Sequence, residues 1–214
     1  MQYRLIPVTP LQQNCTLLFD DASRRGALVD PGGDIDRILS VVNDEQVKLE
    51  KILVTHAHVD HAGQVWKLAA EQQLPIIGPH IDDQFWIDRL PEDALRYQLP
   101  DVQVFVPDQW LAHGDTVDVA GHTLQVLHCP GHTPGHVVFY QPEDQVAIVG
   151  DVLFQGSIGR SDFPRGNHDD LIRSIREHLW PLGNAVQFIP GHGPVSSFGH
   201  ERATNPHVAD ALLT

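Results

Sequence analysis

Cysteine is scarce in this sequence, with only Cys15 and Cys129 among 214 residues. The two thiols are far apart in the chain and form no C-x-x-C pair, which argues against a disulfide scaffold. Two lone thiols in a domain of this size are typical of a reducing compartment.

Long apolar runs are also missing. No stretch approaches the roughly 18 apolar residues that a membrane-spanning helix requires. The first 14 residues are interrupted by Pro7, Thr9 and Pro10, so they lack the unbroken apolar segment of a signal peptide. We therefore expect a soluble cytoplasmic protein that does not bind membranes.

Basic residues are few, with 14 Lys and Arg against 28 Asp and Glu and a net charge of -14. Nucleic-acid binders rely on clustered basic side chains, so this balance disfavours a nucleic-acid partner, including RNA-cutting activity. Apolar residues make up 42% of the chain, which is sufficient for a core, and no linker or low-complexity segment interrupts it. We expect a single domain over residues 1–214.

Histidine, by contrast, is abundant: 14 residues, as many as Lys and Arg together. Its side chain is the one best suited to bind metal or transfer protons near neutral pH.

The hydrophobic pattern predicts strands that alternate with helices, as in a layered α/β protein with sheet at its centre. Strands are predicted at 3–8, 15–19, 27–29, 51–55, 75–78, 102–106, 116–119, 123–127, 137–140, 146–149 and 186–189. Helices are predicted at 34–43, 63–73, 167–179 and 205–213, with Asp34 and Asn167 as caps of the first and third. Residues 82–101 have a mixed hydrophobic pattern, which indicates only that the segment is partly helical.

Several predicted strands end in an acidic residue or a histidine within a Gly-rich loop. Asp30, His56, Asp151 and His192 all follow buried runs in this way. Rigid strand ends commonly position reactive side chains, so we expect these residues to contribute to one site.

The strongest local signal is the segment HAHVDH at 56–61, which contains three imidazoles and a carboxylate within six residues. In loop geometry His56 and His58 can converge on one ion while Asp60 and His61 turn toward another, so two adjacent metals are possible. A polar loop of ordinary histidines is the simpler alternative.

This segment, together with CPGHTPGH at 129–136, Gly150-Asp151 and PGHG at 190–193, resembles the metallo-β-lactamase superfamily. The resemblance implies an αββα four-layer sandwich with two metals at one edge. It also implies that Asp30 supports the ligand loop, although a turn-capping role would suit Asp30 equally well.

Carried over by position, seven side chains would be metal ligands. The first metal would be held by His56, His58 and His132, the second by Asp60, His61 and His192, with Asp151 as the bridge and Asp60 and Asp151 as catalytic residues. Seven ligands are too many for one closed structural site, which argues against a protein that keeps a metal only for stability. We expect two divalent ions, zinc first, with iron or manganese as alternatives.

Within the superfamily, THAHVDHAG at 55–63 and GDVLF at 150–154 look most like the short, single-domain branch of the type II glyoxalases, the hydroxyacylglutathione hydrolases. The resemblance implies hydrolysis of S-D-lactoylglutathione to D-lactate and glutathione by a metal-bridging hydroxide, in methylglyoxal detoxification. No side-chain nucleophile is evident, since GSIG at 156–159 does not have the G-x-S-x-G spacing. Zinc β-lactamases commonly have Cys where Asp151 stands, so antibiotic hydrolysis is disfavoured.

The family places a substrate-binding basic residue near Arg160, in GRSDF at 159–163, although a surface ion pair is nearly as good an interpretation. Longer glyoxalases carry a C-terminal helical domain that completes glutathione recognition, whereas this sequence ends 22 residues after His192, at residue 214. The expected partner is a small thioester such as a glutathione conjugate, and the oligomeric state is left open.

The main rival function is a persulfide dioxygenase with a single ferrous iron, because those superfamily members share the GRSDF pattern. They typically lack a working His at the position of His192, and its presence favours two metals and hydrolysis. A hydrolase of another small thioester or ester is a further alternative.

The other candidates receive structural interpretations. Cys129 is predicted to be a small buried filler, and His136 to serve structure more than catalysis. Eight histidines lack partners at ligand spacing and are treated as ordinary surface or core residues: His80, His113, His122, His128, His168, His178, His200 and His207.

Overall fold

A computed structural model describes residues 1–212, with secondary structure assigned throughout that range. The first half forms a five-stranded sheet in the order β1-β2-β3-β4-β5. Its strands are β1 Gln2–Val8, β2 Gln13–Phe19, β3 Arg25–Val29, β4 Lys48–Leu53 and β5 Ile76–Ile77. The first three strands pair antiparallel, whereas β3, β4 and β5 run parallel, so β3 and β4 end at the same sheet edge.

The second half forms a six-stranded sheet in the order β13-β12-β9-β8-β7-β6. Its strands are β6 Thr116–Val119, β7 His122–His128, β8 Val137–Gln141, β9 Val146–Gly150, β12 Gln187–Pro190 and β13 Ser196–Ser197. A separate hairpin joins β10 Leu153–Phe154 to β11 Ser157–Ile158. Strands β9 and β12 are parallel, so their ends also meet at one edge.

Within residues 1–212 six α-helices accompany the sheets: α1 Ile35–Asp44, α2 Val59–Ala62, α3 Val65–Gln72, α4 Gln84–Tyr97, α5 His168–Ser174 and α6 Phe198–Thr204. The chain continues from α5 through a π-helical turn, Ile175–Leu179. No helix within residues 1–212 is long and apolar enough to cross a bilayer.

Three apolar clusters lie between the four layers of the fold and hold neighbouring layers together. One cluster joins the first sheet to the helices of the first half, including Ile38 and Leu68, and another joins the second sheet to α5 and α6. The third contains Leu18 and Val29 of the first sheet with Phe139 and Ile148 of the second, so the two sheets pack face to face. The predicted αββα sandwich is therefore confirmed.

Two predictions for the middle of the chain need correction. Residues 102–106 form no strand, because Val104 and Val106 face solvent, 52% and 76% exposed, instead of entering a sheet. The unassigned segment 82–101 is mostly the helix α4, which accommodates Pro91 in its interior and buries Trp86 and Leu90.

Helix ends also differ from the predictions. Asn167 caps α5 as predicted, since its side-chain oxygen accepts hydrogen bonds from the N–H groups of Asp169 and Asp170. Asp34 does not cap α1, because its carboxylate accepts the Thr9 N–H instead. The predicted helix at 205–213 is wrong, because the last α-helix, α6, ends before it. Residues 205–212 contain only a 3-10 turn at Asp210–Leu212, and residue 213 lies outside the described residues.

Candidate metal centre

Strand ends from both sheets converge at one edge of the sandwich. Asp30 follows β3, His56 follows β4, Asp151 follows β9, and His192 follows β12. An isolated bridge pairs Gln13 of β2 with His192, which follows β12, so it joins the two sheets at this edge. Parallel pairing explains the convergence, since parallel strands deliver their C-terminal ends to the same side.

The first group of ligand atoms belongs to His56, His58 and His132, whose candidate atoms all lie within 4.8 Å of one another. Burial lowers the pKa of His56 and of His58 well below the ordinary value, and lowers that of His132 as well. These imidazoles are therefore neutral near pH 7, which is the form that binds a metal ion.

The second group consists of Asp60, His61 and His192, also with candidate atoms within 4.8 Å of one another. His192 Nε2 lies 3.1 Å from Asp60 Oδ2, and His61 Nε2 lies 3.9 Å from the same oxygen. Burial alone would lower the pKa of His61, but the carboxylates of Asp151 and Asp60 outweigh burial and raise it well above its usual value. The carboxylates thus favour positive charge at this position, which a bound cation also supplies.

Asp151 stands between the two groups. Its Oδ2 lies 3.5 Å from Nε2 of His132 and 3.7 Å from Nε2 of His192, while its Oδ1 lies 3.3 Å from Nε2 of His61. Burial would raise the pKa of this carboxyl, but His61 and the other imidazoles lower it far below its usual value. An ionised carboxylate facing both groups has the geometry to bridge two cations.

Unsatisfied polar atoms identify the chemistry that this edge requires. Within residues 1–212 five buried side-chain atoms of the two groups have no hydrogen-bond partner: Nε2 of His56, His58, His61 and His132, and Oδ1 of Asp151. Buried polar atoms are rarely left unpaired in proteins. Imidazole nitrogens and carboxylate oxygens are ligands for zinc and for iron, so the donor set fits a binuclear metal site.

Four of the five candidate ligand histidines, His56, His61, His132 and His192, have a hydrogen-bond partner at the other ring nitrogen, Nδ1. Asp30 Oδ2 accepts a hydrogen bond from His61 Nδ1 at 2.9 Å and another from Thr55 Oγ1 at 2.5 Å. His56 Nδ1 lies 3.1 Å from the same Thr55 oxygen, so it donates to a hydroxyl that Asp30 already holds. Such contacts fix the tautomer and leave the Nε2 lone pair free for a metal. Asp30 therefore has a position that supports the ligand loop.

Backbone carbonyls orient two further rings. His132 Nδ1 donates to the carbonyl of Arg160 at 2.7 Å, and His192 Nδ1 donates to the carbonyl of Leu11 at 3.2 Å. Gly191, next to His192, lies so close to the site that a Cβ there would clash with Asp151 Oδ1. The backbone thus approaches the candidate ligands as closely as a residue without a side chain permits.

Asp83 was missed by the sequence analysis. Its carboxylate is fully buried and accepts hydrogen bonds from Ala57 N–H at 2.9 Å, Thr133 Oγ1 at 3.0 Å and Gly135 N–H at 2.6 Å. Burial raises its pKa to about 7 although the three hydrogen bonds lower it. An Asp just before an apolar run resembles a helix cap, yet this side chain makes no cap bond to α4.

His136, which was predicted to serve structure more than catalysis, lies beside the candidate ligands. Its ring stacks on His56 with 4.6 Å between centroids, and its Nε2 accepts the backbone N–H of Asp151 at 3.0 Å. It therefore holds the backbone of a candidate ligand. Cys129 is completely buried in the core of the second sheet, in the position expected of a filler.

A third cluster lies outside the centre. Candidate ligand atoms of His80, Asp82 and His128 come within 4.8 Å of one another, and the two imidazoles stack at 4.1 Å. These histidines are distant in sequence, so spacing alone could not bring them together.

A cleft of about 550 Å³ opens over the two groups. Its floor includes His58, Asp60 and Asp151, one wall is α4, and the other wall is the segment 154–164. Arg160, the predicted substrate contact, lies in this second wall, and its guanidinium donates two hydrogen bonds to Asp162, each 2.9 Å long. The side chains of both residues are about two-thirds exposed, 66% and 69%.

A four-layer αββα sandwich with paired His and Asp groups at one edge defines the class of metal-dependent hydrolases. The chain belongs to the metallo-β-lactamase superfamily, whose family model matches residues 8–192. The hydroxyacylglutathione hydrolase GloC of Haemophilus influenzae is 42% identical over 207 residues, which cover 96% of this chain and 97% of that protein.

Two solved structures are similar over nearly their whole length. The crystal structure of BLEG-1 B3 metallo-β-lactamase has a TM-score of 0.88 at 33% identity, covering 96% of this chain and 98% of that chain. The structure of TTHA1623 in a di-iron-bound form has a TM-score of 0.85 at 34% identity, covering 95% and 98%.

Proposed function

We propose that the protein hydrolyses glutathione thioesters, with S-D-lactoylglutathione as the substrate and D-lactate and glutathione as products. The observation that carries this proposal is the pair of unsatisfied ligand groups, with Asp151 between them, at the floor of an open cleft. The similarity to a protein named hydroxyacylglutathione hydrolase supports the choice of substrate. Such an enzyme would serve methylglyoxal detoxification.

In this proposal seven side chains hold two divalent ions. His56, His58 and His132 hold the first ion, Asp60, His61 and His192 hold the second, and Asp151 bridges them. When bound, the ions would ionise a water molecule near neutral pH and polarise the thioester carbonyl. Zinc is our first candidate, while the similarity to a di-iron structure keeps iron as a specific alternative.

The chain's own residues hold the candidate metal ligands in position and exclude water from one side of the centre. Asp30 fixes the ring of His61, the Arg160 carbonyl fixes that of His132, and Asp83 ties the two ligand loops together. Trp86 and Phe163 cover the outer side of His58, with ring centroids 4.4 and 4.8 Å from its own. Asp60 and Asp151 are the carboxylates that face the reacting groups, and we keep Arg160 as a proposed substrate contact.

The proposal is tested by measuring metal content per chain together with three reactions of the purified protein. These are hydrolysis of S-D-lactoylglutathione, oxygen uptake with glutathione persulfide, and hydrolysis of a chromogenic β-lactam. We expect two metals per chain and thioester hydrolysis that is independent of oxygen. Turnover only with oxygen, at one iron per chain, would establish the persulfide dioxygenase reaction instead, and turnover of the β-lactam alone would also refute the proposal.

A further inference from the structure

The cleft is lined by charges of both signs, and its acidic residues are Asp60 and Asp151 at the floor and Asp93 on α4. Three of the 14 basic residues, Arg89, Arg96 and Arg160, line the cleft, although the chain carries a net charge of -14. Two of the three, Arg89 and Arg96, lie on α4, the wall whose role the sequence did not reveal. Clustered guanidinium groups at the opening of a site are suited to an anionic ligand.

The three arginines differ in how far their charge is already compensated. Arg160 is fully engaged by Asp162 and also lies over the Phe163 ring, 4.4 Å from its centroid. Arg89 has only distant partners, with 3.5 Å to Glu92 and 3.4 Å to Asp93. Charge-assisted hydrogen bonds are about 2.7–2.9 Å long, so both contacts of Arg89 are weak.

Two donors of the α4 wall are left unused. The buried Nε of Arg89 and the indole Nε1 of Trp86 have no hydrogen-bond partner in the described part of the chain. Trp86 is only 4% exposed and lines the cleft beside His58. Both nitrogen atoms are buried, so neither offers an accessible donor to a ligand in the cleft.

Arg96 is the uncompensated charge. It lies in the last turn of α4, is exposed, and makes no ion pair or side-chain hydrogen bond with any residue from 1 to 212. Its guanidinium lies 5.8 Å from the centroid of the Tyr97 ring, and both residues line the cleft. A cation at a helix C-terminus also stabilises the helix, so the two roles must be separated by experiment.

We propose that Arg96, with Arg89 behind it, binds a carboxylate of the thiol portion of the thioester, and that α4 is therefore the wall that selects anionic substrates. This inference rests on the proposed function, because it describes the substrate of the same site. The reactive carbonyl would lie over the floor at His58 and Asp151, while the charged end extends along α4 toward Arg96.

The test compares two thioesters of the same acyl group with different thiols. S-D-lactoylglutathione carries carboxylates on its thiol portion, whereas S-D-lactoyl-N-acetylcysteamine carries none. For Arg96→Gln we expect the ratio of kcat/KM for the charged to the neutral thioester to fall about tenfold, chiefly through KM, as for loss of one charge-assisted hydrogen bond. Arg96→Lys should recover part of that ratio, and Arg89→Gln should lower it as well.

Arg37→Gln is the matched control, since Arg37 is an exposed arginine on another helix, α1, away from the cleft. The control should leave the ratio unchanged. A helix-stabilising role alone would lower the melting temperature of Arg96→Gln without changing the ratio, and that result would overturn the inference.

Calorimetric titration with S-methylglutathione, which is not a thioester, gives a readout that does not depend on turnover. The wild-type holoenzyme should bind it about tenfold more tightly than Arg96→Gln does. If no thioester is hydrolysed but this difference is found, the proposed function fails and the anion site stands. Equal affinities of the wild type and Arg96→Gln would overturn the anion site whatever the turnover.

Discussion

The Asp83 carboxylate accepts a hydrogen bond from the backbone N–H of Ala57, the residue between His56 and His58, at 2.9 Å. The same carboxylate accepts the Thr133 hydroxyl, next to His132. One buried acid therefore connects the two loops that supply the first group of candidate ligands. Because the loops come from different sheets, this contact also joins the two halves of the sandwich at the centre.

Asp83 makes stability depend on pH. Burial raises its pKa in the folded protein to about 7 from 3.8, so the folded state binds this proton more tightly than the unfolded state. The stabilisation that this proton gives to the folded state is fully present below about pH 4 and is lost as pH rises toward 7. The free energy of unfolding then falls by at most about 1.4 kcal/mol per pH unit. We expect urea titrations in excess chelator to show this fall for the wild type but not for Asp83→Asn.

Asp88→Asn is the control for this comparison, because Asp88 is an exposed acid on α4, the helix that begins directly after Asp83. Its unfolding free energy should follow the wild-type curve across the pH range. Parallel curves for the wild type and Asp83→Asn would contradict the assignment of the shift to Asp83.

Asp151→Ala should abolish hydrolysis and reduce the metal bound per chain. The reason is that Asp151 faces both groups, so its removal leaves the cations without their shared negative charge. Metal content is measured by mass spectrometry beside the rate, with Asp36→Ala on the surface of α1 as a control that should retain both. Full activity with two metals retained would refute a bridging role.

Asp30→Asn should weaken metal binding without removing a direct ligand. Loss of the charge that holds His61 Nδ1 is expected to reduce metal affinity about 10- to 100-fold. Competition with a chromophoric chelator measures this affinity. The larger loss should concern the ion held by His61, with a smaller loss at the ion held by His56, which Asp30 reaches through Thr55. An unchanged affinity for both ions would show that the Asp30 contact merely shapes the turn.

Gly191→Ala should lower metal content because the added Cβ would clash with Asp151 Oδ1. Overpacking of this kind costs about 1–3 kcal/mol of stability. Gly193→Ala is a close control, since that position has a left-handed φ of 76° but open space around it. Backbone strain in Gly193→Ala should lower its stability while two metals remain bound. Similar metal loss in Gly191→Ala and Gly193→Ala would count against the steric explanation.

Chelation should destabilise the protein as well as inactivate it. A ligand at 100 times its dissociation constant stabilises the folded state by about 2.7 kcal/mol per site, so metal removal should lower Tm clearly. Addition of zinc, iron or manganese to the stripped protein then ranks the ions by recovered Tm and activity. A Tm that chelation leaves unchanged would argue against ions bound at these buried groups.

Much of the layered architecture could be predicted from the sequence. Period-two and helical spacing identified most strands, the helix α1 and the cap at Asn167, because each of these depends on a few neighbouring residues. The seven candidate ligands were predicted from the resemblance of four short motifs to the superfamily, and the structure brings them to one edge. Their role as ligands stays a prediction.

Tertiary structure decided the rest. The segment 82–101 has neither clean periodicity nor a motif, so its helix depends on packing of Trp86 and Leu90 against the first sheet. The role of Asp83 and the exposed charge of Arg96 follow from that packing. Local sequence patterns specify elements and the residues at their ends. Contacts between residues 26 or 50 positions apart, such as those of Asp83, depend on how the finished layers meet.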